Sequence, residues 1–249
     1  MLLNNRVALV TGASRGIGAA TARLLAAEGA AVGVNYVSNR AAGEAVVEQI
    51  KQAGGRAILT QADVTDPEQV QQMVQTVSAE FGPIDTAVLN AGPSFPVEPF
   101  VNYRWEDFER KLVGELKGAF HCCKALTPSM IQQRRGNIVV ISSSLSRHSD
   151  TGFVAHCTAK SGLDAFVRSL ATELGPDGIR INTIAPGLTN TDATTFIPDQ
   201  AKQAIAGAVP LRQIAEPDDI AGAILMMVSD HTRHISGSYI PVTGGALML

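Results

Sequence analysis

A chain of 249 residues is long enough to bury a large core and short enough for one α/β domain, so a single domain over 1–249 is expected. Hydrophobic residues make up 45% and charged residues 17%, an ordinary globular composition that argues against long disordered tails. The formal charge of -3, with no basic run longer than Arg134-Arg135, offers no electrostatic footprint for nucleic acid.

Only Met1, Leu2 and Leu3 are apolar before the first expected strand. That is too short for a signal peptide or a membrane span, so a cytoplasmic protein with no membrane partner is expected. In chain order, apolar runs rich in Val, Ile and Ala stand at 7–10, 31–35, 57–61, 86–90, 138–142, 181–185 and 238–242. Runs that are apolar on both faces suit a parallel sheet covered on each side. Helical spacing fills the intervals at 17–28, 39–53, 67–81, 105–133, 155–174 and 217–229. The alternation predicts an α/β fold, a doubly wound parallel sheet of Rossmann type with helices on both faces.

Several boundaries have local causes. Asp66-Pro67-Glu68 and Glu216-Pro217-Asp218-Asp219 combine proline with acidic residues at helix starts. Gly29, Gly54-Gly55, Gly82-Pro83 and Gly175-Pro176 supply stops. The stretch 188–211 shows no clear element and lies beyond a strand's carboxyl end, where open α/β sheets bind ligands, which makes it a candidate substrate lid. Cys122, Cys123 and Cys157 have neither a disulfide framework nor metal-ligand spacing and are expected to be reduced core residues. No metal site is expected, because His121, His148, His231 and His234 have no ligand spacing with carboxylates.

The first strand runs straight into Thr11-Gly12-Ala13-Ser14-Arg15-Gly16-Ile17-Gly18, after which a helix begins. Gly12 permits the tight turn, Gly16 lets backbone approach phosphate, and Gly18 allows the helix to pack closely on the sheet. The new helix then points free N–H groups and its positive dipole end at a pyrophosphate.

The glycine spacing, three residues and then one, resembles that of the classical short-chain dehydrogenase/reductase family. Leu89-Asn90-Ala91-Gly92, Asp63-Val64, the segment from Asn182 to Gly187, Pro210-Leu211 with the following Glu216 to Ala221, and Gly244-Gly245 extend the resemblance over nearly the whole chain. It is closest to the 3-oxoacyl-carrier-protein reductase type. The resemblance implies that Ser14, Arg15 and Ile17 line the phosphate turn and that Asp63 and Val64 border the adenine. It places Asn90, Ala91 and Gly92 beneath the ribose and Pro186, Gly187, Leu188 and Thr191 at the nicotinamide. It also implies a homotetramer packed through the long helices and the C-terminal strand.

The end of the second strand chooses the dinucleotide, since an acidic side chain there accepts from a ribose 2′-hydroxyl but repels a 2′-phosphate. The segment reads Asn35-Tyr36-Val37-Ser38-Asn39-Arg40, without a carboxylate. Asn35, Tyr36 and Ser38 are therefore candidate ribose neighbours, Arg15 is the candidate phosphate partner with Arg40 as a second, and NADP(H) is favoured over NAD(H).

In the family a Ser, a Tyr thirteen residues later and a Lys four residues after that do the chemistry, with an Asn on the preceding long helix. Ser143 and Lys160 match, but His156 stands where Tyr is expected and Glu115 where Asn is expected. His156 and Lys160 share a helix face, the imidazole is shorter than a phenol, and the Lys160 charge disfavours imidazolium. Glu115 is expected to pair with Lys160 or to orient His156; the bland alternative turns it to solvent.

Arg147, His148 and Asp150 follow Ser143 in a loop that borders substrate in the family, and their polarity hints at a polar or charged substrate group. Tyr103 and Trp105 are expected to pack in the core rather than line a substrate mouth. The leading reading is an NADP-dependent oxidoreductase acting on a small-molecule carbonyl or alcohol. Two others stay open: a non-redox enzyme on the same scaffold (isomerase, dehydratase or cyclase), and a dinucleotide-binding protein without turnover.

Overall fold

The structure is a computed structural model that describes residues 1–248. Seven parallel strands form its sheet: β1 (Val7–Val10), β2 (Ala31–Tyr36), β3 (Arg56–Gln61), β4 (Thr86–Leu89), β5 (Gly136–Ile141), β6 (Ile179–Pro186) and β7 (Tyr239–Val242), in the order β3-β2-β1-β4-β5-β6-β7. The helices between them are α1 (Gly16–Ala27), α2 (Arg40–Gln52), α3 (Pro67–Phe81), α4 (Trp105–Gln133), α5 (Val154–Leu174), α6 (Asp199–Ala208) and α7 (Pro217–Val228).

Alternation along each strand divides the core in two. Ala8 and Val10 join Val32, Val34, Val139 and Ile184 under α1, α2 and α7, where Leu25, Ile50, Ile220 and Ile224 are buried. Val7 and Leu9 join Leu89, Val140 and Ile181 on the opposite face, against Met73 and Val77 of α3, Leu126 and Met130 of α4, and Leu163 and Val167 of α5. Both faces are covered, the condition under which continuous apolar strands are stable in water.

The helix starts follow their local chemistry. Asp66 accepts from the backbone of Glu68 and Gln69, capping α3, and Asn39 accepts from Ala42, capping α2. Two expectations change. The stretch 188–211 contains α6, which the sequence pattern missed because that helix is only ten residues long and buries none of them in the core. Trp105 is 64% exposed and stacks on Phe108 at 5.5 Å instead of entering the core, while the Tyr103 hydroxyl donates to the Pro96 carbonyl.

The strand order reverses between β1 and β4, so the crevice between their carboxyl ends is the topological switch point. The glycine turn follows β1 and the segment from Asn90 to Gly92 follows β4, which brings two sequence motifs to one place.

Candidate active site

The turn needs glycine for its backbone angles at two positions and for close packing at a third. Gly12 and Gly16 have φ of +61° and +54°, and a Cβ on Gly18 would lie 2.4 Å from the Gly12 carbonyl oxygen. Asn90 donates to the carbonyls of Thr11 and Gly12, and the Thr11 hydroxyl accepts from the N–H groups of Asn90 and Ala91. The two strand ends are thereby laced together.

Arg15 precedes α1 with no side-chain cap, and no acidic residue stands in the first turn of the helix. The free N–H groups and dipole of α1 are left for an anion, and the cradle fits a dinucleotide pyrophosphate. Thr191 approaches the turn from beyond β6, within 3.4 Å of where a Gly16 Cβ would stand. A cleft of about 370 Å³ lies there, lined by Ser14, Arg15 and Gly16 on one side and Asn190, Thr191 and Asp192 on the other. Ile17 is partly buried and packs against the core below α1.

The second strand plays a different part from the one expected. Asn35 is buried, accepting from the Gly12 N–H and donating to the Ala62 carbonyl, so its side chain supports the turn. Tyr36 is buried as well, its hydroxyl on Gln61. The polar groups that remain outward are those of Ser38, which is exposed, and Asn39, whose side chain caps α2. Arg40, the second expected phosphate partner, pairs with Glu44 at 2.7 Å. Arg15 has no ion pair or side-chain hydrogen bond among the described residues.

Asp63 accepts from the backbone and hydroxyl of Thr65, closing its own turn, and Val64 is buried against Gly118 of α4. Pro186 ends β6 in register with Val242, the Gly187 N–H donates to Val242, and the Leu188 carbonyl accepts from Ala215. These bonds carry the chain from β6 over the crevice.

Ser143 follows β5, its hydroxyl accepting from the Leu145 N–H and its carbonyl from the Tyr239 hydroxyl. Lys160 of α5 is buried, donating from Nζ to the Ile141 carbonyl and to Glu115 Oε2, each at 2.9 Å. Glu115 Oε1 accepts from Lys111 Nζ at 2.5 Å. One buried carboxylate is therefore shared by two ammonium groups. Burial works against the charged carboxylate, but Lys160 and then Lys111 outweigh it and hold its pKa below the ordinary range.

Glu115 thus faces neither solvent nor His156, and of its expected partners it meets Lys160. His156 stacks on Phe95 at 4.7 Å with the rings 19° from parallel, and Phe153 stands edge-on at 6.3 Å. Its Nδ1 is buried without a partner. Burial first, then the charges of Lys160 and Lys111, lower its pKa to about 3, so the ring is neutral at physiological pH. Cys157 lies beside it, and burial raises its thiol pKa, leaving it a poor nucleophile.

Lys111 and Phe95 were not anticipated from sequence. The spacing of Lys111 and Glu115, four apart on a helix, was the available signal, but the same spacing is common in solvated pairs. Arg147, in the loop that the resemblance sets beside substrate, is exposed, its guanidinium 4.7 Å from the Tyr239 ring and 3.6 Å from Asp164.

The fold and crevice define a dinucleotide-dependent enzyme, and comparison with known proteins narrows the class. Residues 12–246 match the family described as Enoyl-(Acyl carrier protein) reductase. The chain is 35% identical to the 3-oxoacyl-acyl-carrier-protein reductase FabG of Staphylococcus epidermidis, covering 98% of this chain and 100% of that protein. It is 34% identical to a 3alpha-hydroxysteroid dehydrogenase of Mediterraneibacter gnavus, covering 99% and 98%.

Among solved structures, a 7 alpha-hydroxysteroid dehydrogenase complexed with NADH and 7-oxo glycochenodeoxycholic acid superimposes with a TM-score of 0.94 at 31% identity, covering 99% of this chain and 96% of that one. A dehydrogenase/reductase from Sinorhizobium meliloti gives 0.90 at 32%, with the same coverage. The chain belongs to the classical short-chain dehydrogenase/reductase family. It is an oxidoreductase of the class that interconverts C=O and CH–OH groups with a nicotinamide dinucleotide.

Proposed function

We propose that this protein is an NADP(H)-dependent short-chain reductase whose proton-passing group is His156. The observation that supports this most directly is Lys160, held between the Glu115 carboxylate and the Ile141 carbonyl one helical turn from His156, with Ser143 at the end of the neighbouring strand. Gly12, Ser14, Arg15, Gly16 and Gly18 would hold the pyrophosphate end, Asp63, Val64, Asn90, Ala91 and Gly92 the adenosine side, and Lys160, Pro186, Gly187, Leu188 and Thr191 the nicotinamide riboside. When bound, the reduced dinucleotide supplies a hydride to the substrate carbon.

Ser143 donates a hydrogen bond to the substrate oxygen, which takes up one proton as the carbon takes up the hydride. A neutral imidazole gives up its N–H proton readily only while it gains another at its second nitrogen, so His156 passes a proton rather than releasing one. Nδ1 is buried without a protein partner, so in this reading the exchange needs a water or hydroxyl admitted beside the ring when the site is filled. Lys160 keeps positive charge at the site and is itself kept in place by Glu115. In the oxidation direction the ring accepts the alcohol proton and hands on its own.

Preference for the phosphate-bearing dinucleotide rests on this chain alone, because a structural relative was captured with NADH. No carboxylate stands at the end of β2, and Arg15 is the cation without a protein partner beside the turn. The assembly in this proposal is a homotetramer joined through α4, α5 and the β7 edge. Val113 and Phe120 of α4, the latter 50% exposed, are apolar side chains that such packing would cover. Three cysteines in thiol form suit a reducing, cytoplasmic setting.

The test is NADPH consumption against a panel that includes a 3-oxoacyl thioester and an oxo-steroid. Turnover by the wild type that His156→Ala abolishes supports the reading. Turnover seen only after His156→Tyr overturns it.

A further inference from the structure

Lys111 is a charged side chain only 4% exposed, and burying an ammonium group costs free energy that a mere loop anchor could avoid with a neutral donor. Its three contacts converge on the reaction site. Nζ donates to the Pro93 carbonyl at 2.8 Å, donates to Glu115 Oε1, and lies 4.8 Å from the Phe95 ring centre. Phe95 is the ring stacked on His156. We propose that Lys111 is a positioning residue of this enzyme: it divides the Glu115 carboxylate with Lys160 and binds the 93–95 loop to α4, and in doing so presses Phe95 against the His156 imidazole.

The backbone supports the same route. A Cβ on Gly92 would lie 2.5 Å from Glu115 Oε1, and a Cβ on Gly114 would lie 2.9 Å from Pro93 Cγ, so the segment leaving β4 runs directly across the face of α4 that carries Lys111 and Glu115. Its far end is held by the Tyr103 hydroxyl on the Pro96 carbonyl. Between these two anchors Phe95 packs against His156 and Phe153, with Lys111 Nζ 4.8 Å from its ring centre.

The charged groups around His156 are Lys160 from α5 and Lys111 and Glu115 from α4, while the 93–95 loop contributes only the Phe95 ring. Two cations against one anion leave a surplus positive charge, which disfavours a second proton on the imidazole. Lys111 supplies that surplus and the stack that fixes the ring plane. Burial lowers its own pKa to about 8, so it carries its charge at neutral pH and loses it in the mildly alkaline range.

The catalytic consequence rests on the reading of His156 as the proton-passing group, whereas the structural one does not. The experiment therefore follows the His156 imidazole by NMR titration in the full-length protein, with and without NADPH, assigning its signal with His156→Gln. In Lys111→Met the titration midpoint should rise by about one pH unit or more, and kcat should fall about tenfold while KM for NADPH holds. Lys111→Arg, which keeps the charge, should restore most of both.

An unmoved midpoint and an unmoved kcat in Lys111→Met would overturn the proposal, as would a change confined to thermal stability. Should Lys111→Met fail to fold, Phe95→Leu leaves all three charged groups in place and must also raise the midpoint; no change there overturns the positioning role. Absence of NADPH turnover in the wild type would remove the reading of His156 yet leave the imidazole titration as a valid test of Lys111.

Discussion

Glu115 and Lys160, forty-five positions apart in sequence, meet 2.9 Å apart across the α4–α5 interface and are both shut away from solvent. The resemblance to the family leads one to expect an asparagine, a neutral group, at this helix position. Here the lysine has a buried counter-ion instead, and that counter-ion is itself shared with Lys111.

Removing the shared anion should be costly. Glu115→Gln leaves two buried ammonium groups without compensation, and a loss of roughly 3–5 kcal/mol in urea-induced unfolding is expected. Adding Lys111→Met to it should recover part of that loss, because the two sites are coupled. Strictly additive effects would show that the three charges do not act as a unit.

The neutral imidazole makes a signed prediction about pH. His156 has a pKa of about 3 in the folded chain against an ordinary 6.5, so the unfolded chain binds its proton first. The stability it contributes is complete above the ordinary value and is lost as pH falls through the window down to about 3, on the order of 5 kcal/mol in total. His156→Gln should flatten the stability curve between pH 6.5 and 4.5, above the ordinary range of carboxylates. A curve of unchanged slope in that window would contradict the assignment.

Arg15→Ala should weaken NADPH about tenfold and NADH far less, since one charge-assisted hydrogen bond to a phosphate contributes roughly 1.5 kcal/mol or more. Calorimetric titration of both dinucleotides gives the comparison directly. Equal losses would remove the argument for the 2′-phosphate.

Two glycines make a paired control. Gly18→Ala places a Cβ 2.4 Å from the Gly12 carbonyl, and a loss of roughly 1–3 kcal/mol together with weakened dinucleotide binding is expected. Gly222→Ala, inside α7 with nothing within 4 Å, should stabilise by about 0.5–1 kcal/mol. Thermal melts of the two variants should move in opposite directions.

Apolar packing through α4 should be visible in solution. Phe120→Asp puts a charge on the exposed side of that helix, and light scattering should then report a smaller species than the wild type. An unchanged mass would remove this helix from the subunit contact.

The doubly wound sheet was legible because both of its periods are local: continuous apolar strands and helices with one buried stripe announce themselves without reference to distant residues. All seven strands lie close to their expected ranges, although β5 begins at Gly136 and β6 extends to Pro186. The glycine turn was legible for the same reason, since a steric need at Gly18 is satisfied by a neighbour six residues away. The α6 helix was not, because it is only ten residues long and buries none of them in the core.

Sequence alone thus determined the sheet and the shape of the glycine turn. It left Glu115 three destinations, solvent, His156 or Lys160, and gave Asn35 and Tyr36 a place at the ribose. Tertiary structure made the choice by bringing α4 against α5 and the β4 loop over both: Glu115 went to two lysines, Asn35 to the turn's own backbone, and Phe95 to His156. The reason is the cost of burial. A charge or amide taken out of water must find its partner among whatever groups the packing delivers, and those partners lie too far away in sequence to be read along it.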